Sequence, residues 1–226
     1  MVKAIAKGLN FVLGKYLQKN KVIVSSSLVY LERDRDIDRN YFDYIRLSSL
    51  ELVSHEINRR GIKGHVAELG VYKGKFARYI NHYFKDRTFY LFDTFAGFDQ
   101  RDVNLEKDRG LTSGTQDFSD TSVEAVMESM PYPEKCRPVQ GFFPDSAKDL
   151  QEAFVFVSID TDLYEPVYNG LRYFYPILVK GGYIFIHDFN NDHYKGARKA
   201  VEQFCGEMQI NFVPLPDLAG TAIIAK

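Results

Sequence analysis

The chain of 226 residues contains no tryptophan and only two cysteines, and its charges nearly cancel, with a formal net charge of −1. Cys136 and Cys205 lie far apart in sequence and outside any Cys-x-x-Cys pattern, which is typical of a reduced cytoplasmic protein. A nearly neutral chain gives no electrostatic support for nucleic acid as a partner. We therefore expect a cytoplasmic protein that does not bind nucleic acid.

Long apolar stretches are also missing. No run of about 18 apolar residues occurs, so the sequence predicts no membrane-spanning helix. The N-terminus lacks the apolar block and the small-residue cleavage site of a signal peptide. We expect no secretion signal.

Acidic residues are absent from the beginning of the chain, where the first is Glu32, while residues 1–21 contain five lysines. Apolar residues accompany the lysines at roughly helical spacing: Ile5, Leu9, Phe11, Val12, Tyr16 and Leu17. This pattern predicts an N-terminal helical extension over residues 1–40. The helix could pack on the protein or on a second copy in a homo-oligomer, or it could lie on an anionic membrane surface.

From residue 41 to residue 226 the pattern is that of one α/β domain. An amphipathic helix is predicted over residues 41–59, and apolar strands then alternate with helices, one of which is predicted over residues 145–150. The predicted strands lie near His65–Leu69, Thr88–Phe92, Arg137–Gly141, Val155–Ile159, Tyr183–Ile186, Phe212–Pro214 and Thr221–Ala225. This alternation predicts a doubly wound, mostly parallel, seven-stranded sheet of the Rossmann-like, class I methyltransferase type. No helix separates the last two strands, which should form an edge hairpin. The long charged segment 96–119 is expected to be an irregular lid.

The most informative segment is residues 66–74, where an apolar strand gives way to a glycine-containing turn. The next predicted strand leads into Asp93, and this layout is typical of nucleoside-binding domains. The turn lacks the G-x-G-x-x-G pattern, however, and Glu68 would repel a pyrophosphate. S-adenosylmethionine carries a sulfonium and an ammonium group and no phosphate, so a carboxylate here favours that cofactor.

In open α/β sheets ligands lie at the carboxyl ends of the strands, so the residues that follow the strands are expected to form one site. The predicted cofactor-binding residues are Glu68, Gly70, Val71, Gly74, Asp93, Thr94, Gly141, Phe142 and Phe143. Asp93 would accept hydrogen bonds from the ribose hydroxyls. Phe142 or Phe143 would offer an apolar face to the adenine.

The methyl acceptor is expected beyond the fourth and fifth strands, where Asp160, Asp162, His187 and Asp188 lie. Carboxylates suit Mg²⁺, so Asp160, His187 and Asp188 are predicted metal ligands. A metal bound to an acceptor hydroxyl would lower its pKa. Asp160 and His187 are the predicted catalytic residues, and His187 could be a general base instead of a ligand. Alternatively, Asp162 and Asp188 could cap the helices that follow them.

Six segments of the chain occur in an order that we associate with one family: Ala67–Gly74, Tyr90–Phe98, Phe118–Ser122, Ser158–Pro166, Tyr173–Pro176 and Gly181–Asp188. Together they resemble the macrocin-type sugar O-methyltransferases of antibiotic biosynthesis, over residues 41–226. The resemblance implies Mg²⁺-assisted methylation, by S-adenosylmethionine, of a sugar hydroxyl in a glycosylated natural product or glycan. In the wider class of metal-dependent O-methyltransferases, Asp160 and Asp188 match ligand positions, whereas His187 stands where some relatives have Asp.

Two other functions are compatible with the same residues. A metal-dependent enzyme could methylate a catechol-like phenol, with only the acceptor pocket altered. The domain could also have kept the fold as a non-catalytic interaction module, although acids at four strand ends argue against that.

Overall fold

The computed structural model describes residues 2–20, 43–111 and 117–226. The chain divides into two compact units, residues 1–38 and residues 39–226, which are described separately. In the first unit, the lysine-rich segment forms helix α1 (Val2–Lys19), whose side chains Phe11, Val12 and Tyr16 are exposed. Among the described residues, no helix is both long and apolar enough to cross a membrane. The predicted helix start at residue 41 and the charged segment 32–39 lie outside the described residues.

The second unit contains six helices and seven strands within its described residues. In chain order they are α2 (Tyr44–Arg59), β1 (His65–Leu69), α3 (Ala77–Tyr83), β2 (Phe89–Asp93), α4 (Gln100–Asp108), α5 (Val123–Glu128), β3 (Cys136–Gln140), β4 (Phe154–Ile159), α6 (Tyr164–Ile177), β5 (Leu178–Ile186), α7 (Lys195–Met208), β6 (Val213–Leu215) and β7 (Thr221–Ala225). The strand order is β3-β2-β1-β4-β5-β7-β6. The first five strands are parallel, whereas β7 runs antiparallel to both β5 and β6. The predicted seven-stranded sheet with an edge hairpin is confirmed.

Three elements differ from the sequence-based expectations. The segment 96–119 is not wholly irregular, because it contains α4, whose first turn is capped by Asp99 accepting from Arg101 N at 2.9 Å. Strand β5 begins at Leu178, directly after α6, and not near Tyr183. Gly182 lets it do so, since a Cβ there would lie 2.8 Å from the Val155 carbonyl oxygen. The helix predicted at residues 145–150 is only a 3₁₀ turn over Asp145–Ala147.

Apolar side chains cover both faces of the sheet. On one face, α6 and α7 bury an aromatic cluster in which the ring of Phe174 lies 5.3–5.7 Å, centroid to centroid, from those of Phe92, Phe143 and Phe154. On the other face, α2, α3 and α5 contribute the buried residues Leu50, Ile57, Ile80 and Val126. Packing on both faces holds the strand ends, and therefore the residues that follow them, in fixed positions.

We expect Phe174→Ala to lower the free energy of unfolding by about 3–5 kcal/mol, because it removes a fully buried ring and leaves a cavity. Urea denaturation measures the change. The matched control is Met208→Ala in α7, whose side chain is 46% exposed and whose loss should cost under about 0.5 kcal/mol. Equal losses in the two variants would show that the aromatic cluster does not stabilise the sheet.

Candidate active site

A cavity of about 440 Å³ opens where β1 to β5 end. Its lining includes Asp162 and every predicted site residue except one. The exception is Gly74, where a side chain would meet Met130. The structure thus brings the predicted cofactor and acceptor residues to one place.

The turn after β1 passes against the end of β4. Asp160 N donates to the Leu69 carbonyl oxygen at 2.8 Å. Gly70 has φ of +86°, and a Cβ there would lie 2.1 Å from the Asp160 carbonyl oxygen. Only glycine tolerates both the left-handed conformation and the contact. Gly70 therefore fixes the position of the cofactor turn relative to Asp160.

Asp93 holds the same turn from the side of β2. Its Oδ2 accepts hydrogen bonds from Val71 N at 2.7 Å and Tyr72 N at 2.8 Å, and its Oδ1 accepts one from Phe95 N at 2.7 Å. The sequence predicted a ribose contact and missed this structural role. Thr94 Oγ1 lies 3.5 Å from Asp93 Oδ1 but is only 2.6 Å from the Gly97 carbonyl oxygen, to which it donates its one hydrogen. Of the about four lone pairs of the carboxylate, one therefore remains for a ribose hydroxyl.

Glu68 is buried beside the turn. Its Oε1 accepts a hydrogen bond from Ser158 Oγ at 3.2 Å, whereas its Oε2 has no hydrogen-bond partner among the described residues. Burial, with a further contribution from the Asp160 charge, raises the pKa of Glu68 well above its usual value. An unpaired buried oxygen is costly, and the ammonium group of a bound ligand would satisfy it.

The two predicted adenine contacts differ in their surroundings. Phe143 is only 6% exposed and its ring stacks on Phe174, so it belongs to the core. Phe142 is less buried and carries the Arg101 guanidinium 3.6 Å from its ring centroid. Asp99 holds that guanidinium through two hydrogen bonds of 2.9 Å. Phe142 is therefore the more accessible of the two rings.

An imidazole and two carboxylates converge beyond β4 and β5. His187 Nδ1 lies 3.1 Å from Asp160 Oδ1 and 3.1 Å from Asp188 Oδ2, and its Nε2 lies 3.2 Å from the Leu218 carbonyl oxygen. One ligand atom from each of the three side chains lies within 4.8 Å of the others. This spacing is compatible with one cation bound by all three.

The outer oxygens of the two carboxylates have their own donors. Arg46, on α2, forms an ion pair with Asp160 Oδ2 at 3.0 Å, and Asn191 Nδ2 donates to Asp188 Oδ1 at 2.6 Å. Arg46 is itself 4% exposed, and its guanidinium lies 3.8 Å from the centroid of the Phe76 ring. The side chains that form the cluster are thus oriented from outside it.

The neighbouring charges and burial shift the pKa values of His187, Asp160 and Asp162 in different directions. Burial opposes the charge on His187, but Asp160 and Asp188 outweigh it and raise the pKa of His187 to about 10. Despite burial, His187 and Arg46 hold the pKa of Asp160 well below its usual value. Burial and the neighbouring Asp188 raise the pKa of Asp162 well above its usual value. In the absence of a cation, His187 therefore holds its proton at neutral pH.

The capping alternative for the two aspartates does not hold. The N-cap of α6 is Leu163, and Tyr164 N donates instead to Glu106 Oε2, from α4, at 2.9 Å. The N-cap of α7 is Tyr194, without a side-chain cap. Asp162 and Asp188 are therefore free for other roles.

Sequence reasoning missed the residues that support the site. Arg46 carried a signal, because it shares a helix face with Leu50 and Ile57, and a cation on a buried apolar face needs a partner. Glu106 carried none, since its position depends on how α4 docks.

Residues 32–224 match the model of the family described as Macrocin-O-methyltransferase (TylF). The chain belongs to this family. It is accordingly an S-adenosylmethionine-dependent O-methyltransferase, and the alternative of a non-catalytic module is set aside. No curated protein matches the chain significantly.

Solved structures agree with the fold of this TylF-family enzyme. The O-methyltransferase NovP is 21% identical, with 81% of this chain and 80% of that chain covered and a TM-score of 0.68. CalS11, a calicheamicin methyltransferase, is 22% identical, with coverage of 80% and 78% and a TM-score of 0.63. TomG from Streptomyces achromogenes, solved with S-adenosylmethionine, is 9% identical, with coverage of 79% and 80% and a TM-score of 0.53.

Glu68→Gln should weaken binding of S-adenosylhomocysteine by about 1.5–3 kcal/mol, because it removes a charge-assisted hydrogen bond to the ammonium group. The raised pKa also sets a pH dependence, since Glu68 must lose its proton to pair with the ammonium. Wild-type affinity should therefore fall as the pH falls through that pKa, while the variant should lack this dependence. Calorimetry over a pH series measures both effects.

The control for this experiment is Asp149→Asn, which removes one negative charge at an exposed position. Its affinity and pH profile should match the wild type. A Glu68→Gln profile that also matches the wild type would show that Glu68 does not contact the cofactor.

Proposed function

We propose that this enzyme transfers the methyl group of S-adenosylmethionine to a sugar hydroxyl of a glycosylated natural product or glycan. A divalent cation orients that hydroxyl, and the sequence predicts that this cation is Mg²⁺. The observation that supports it best is the shared cavity. Glu68 and Asp93 lie beside the cofactor turn, and Asp160, His187 and Asp188 line the same cavity. The family description names macrocin, and CalS11 is described as a TDP-rhamnose 3′-O-methyltransferase.

The chemistry of the donor set fits a divalent cation. Asp160, His187 and Asp188 each direct one polar atom toward the other two side chains. The second polar atom of each contacts a partner outside the cluster: Arg46 for Asp160, Asn191 for Asp188 and the Leu218 carbonyl for His187. Outer partners of this kind orient metal ligands in proteins. When bound, a divalent cation would lower the pKa of the acceptor hydroxyl.

The chain's own residues position the reactants. The acceptor oxygen attacks the methyl carbon, the carbon–sulfur bond breaks, and its electron pair stays on sulfur to give S-adenosylhomocysteine. The hydroxyl proton goes to a carboxylate at the strand ends. Of the two predicted catalytic residues, Asp160 has the ionised carboxylate, whereas His187 would bind the cation through Nδ1 and directs Nε2 at the Leu218 carbonyl oxygen. Arg46 keeps Asp160 in place for this role.

Thorough chelation with EDTA should abolish methyl transfer to a sugar acceptor and leave S-adenosylhomocysteine binding unchanged, because the cation contacts the acceptor and not the cofactor. Asp160→Asn should behave like the chelated enzyme. Transfer assays and calorimetry on the same sample provide the two measurements. If transfer is undiminished after chelation, the reaction does not need a divalent cation. If the enzyme does not bind S-adenosylhomocysteine, the assignment of S-adenosylmethionine as the cofactor is wrong.

We also propose that helix α1 contacts an anionic membrane surface. It presents exposed apolar side chains beside lysines, a combination that gains both burial and charge attraction at such a surface. Each basic residue near an anionic bilayer contributes about 1 kcal/mol. Binding of α1 to the membrane would bring the enzyme close to a membrane-linked glycan. Alternatively, α1 contacts a second copy of the chain in a homo-oligomer.

Phe11→Asp should reduce co-sedimentation with anionic vesicles at low salt, because the Phe11 side chain is 92% exposed and available for burial in the bilayer. Asn10→Asp makes the same change in charge without removing an apolar group, and should retain more binding. A chain lacking residues 1–21 should remain in the supernatant. If the full-length protein also remains there, the membrane role is wrong, and a smaller oligomer after truncation would assign α1 to subunit contact.

A further inference from the structure

The two ring nitrogens of His187 have different neighbours, and Nδ1 is the one that faces the two carboxylates. Its other ring nitrogen, Nε2, lies 3.2 Å from the Leu218 carbonyl oxygen. A carbonyl only accepts hydrogen bonds, so Nε2 carries a hydrogen. Nδ1 directs its proton toward Asp160 Oδ1 and Asp188 Oδ2, both at 3.1 Å. A cation that displaces this proton would meet the Nδ1 lone pair.

The cluster is therefore a mixed donor set of one nitrogen and two oxygens. The three atoms lie within 4.8 Å of one another, so a cation that replaces the Nδ1 proton would contact all three. An all-carboxylate set would suit Mg²⁺. An imidazole donor instead suits the first-row transition ions, whose affinity for nitrogen exceeds that of Mg²⁺.

The nitrogen cannot easily leave this position to make room for water. The Leu218 carbonyl fixes the ring, Arg46 fixes Asp160, and Asn191 fixes Asp188, which is itself 4% exposed. Partners that fix the ligands also fix which donor atoms an incoming ion meets. An ion that enters must accept the imidazole as a ligand.

We infer that the cation site at Asp160, His187 and Asp188 selects a first-row transition ion, such as Mn²⁺ or Co²⁺, over Mg²⁺, with His187 Nδ1 as the selecting ligand. The inference rests on the proposed function, in which a divalent cation orients the acceptor hydroxyl. It concerns which ion binds, so it is tested by binding and spectroscopy without any turnover.

The experiment measures the affinities of the purified enzyme for Co²⁺, Mn²⁺ and Mg²⁺ by calorimetry and competition. It also records the electron spin-echo modulation of bound Mn²⁺. Wild-type enzyme should bind Co²⁺ and Mn²⁺ more tightly than Mg²⁺ and show modulation from a coordinated imidazole nitrogen. His187→Asp should lose that modulation and narrow the Co²⁺-to-Mg²⁺ affinity ratio, because it replaces the nitrogen donor with an oxygen.

Two further variants test whether the ion preference depends on the type of donor atom or only on how the ligands are held. Asn191→Ala frees Asp188 without changing the donor atoms, so it should weaken all three ions by a similar factor and leave their ratio unchanged. His82→Asp, at an exposed position on α3, should change neither affinity nor modulation. Retained S-adenosylhomocysteine binding shows that each variant is folded.

Other results overturn the inference in distinguishable ways. If Mg²⁺ binds as tightly as Co²⁺, or if bound Mn²⁺ shows no nitrogen modulation, the selectivity is wrong while the proposed function stands. If none of the three ions binds, a proton holds the position between the three side chains. The inference then fails together with the cation part of the proposed function, whereas cofactor binding is unaffected.

Discussion

The close contact between the cofactor turn and the end of β4 is the constraint on which the site depends. Gly70 packs against the Asp160 carbonyl, and Asp160 N donates to the Leu69 carbonyl oxygen at 2.8 Å. The turn predicted to hold the cofactor and the residue predicted to face the acceptor are therefore joined by direct backbone contact. In the proposed reaction, this contact would set the distance between the sulfonium and the acceptor hydroxyl, and near-attack geometry of this kind is a large part of catalysis in transfer reactions.

The same region buries more carboxylate charge than a protein interior usually tolerates, and a cation from a helix compensates it. Arg46 forms an ion pair with Asp160 and lies 3.5 Å from Ser158 Oγ, which in turn donates to Glu68. One guanidinium thus serves the cofactor side and the acceptor side together. Removing one partner of such a buried network leaves the other charge uncompensated, which is more costly than losing a surface pair.

The architecture was readable from the sequence because it follows from local pattern. Apolar strands alternating with helices predict a parallel sheet, and a parallel sheet places the residues after each strand at one edge. That reasoning brought Glu68, Asp93, Asp160 and His187 to one cavity without coordinates. The resemblance to the macrocin-type family then predicted the family that the family model confirmed.

Tertiary details were not readable in this way. The hydrogen bonds of Asp93 to Val71 and Tyr72 depend on how the turn folds back over β2. Strand β5 was placed too late because two adjacent glycines have the composition of a turn, whereas in the sheet they allow close approach to β4. The position of Glu106 depends on the docking of α4, which no local periodicity encodes.

Helix α4 both docks on the domain and lines the cavity. Its buried residues dock it on the domain, since Glu106 accepts from Tyr164 N and Val103 packs with Leu163 and Tyr194. Its neighbouring residue Asp102 lines the cavity, where burial first, and then the nearby Asp99 and Glu165, raise its pKa to about 6. The anchoring face is tied to the start of α6 and so to the loop that carries Asp160. Asp102 on the acceptor side of the cavity and Arg101 on the Phe142 ring therefore both keep their positions through the docking of this one helix.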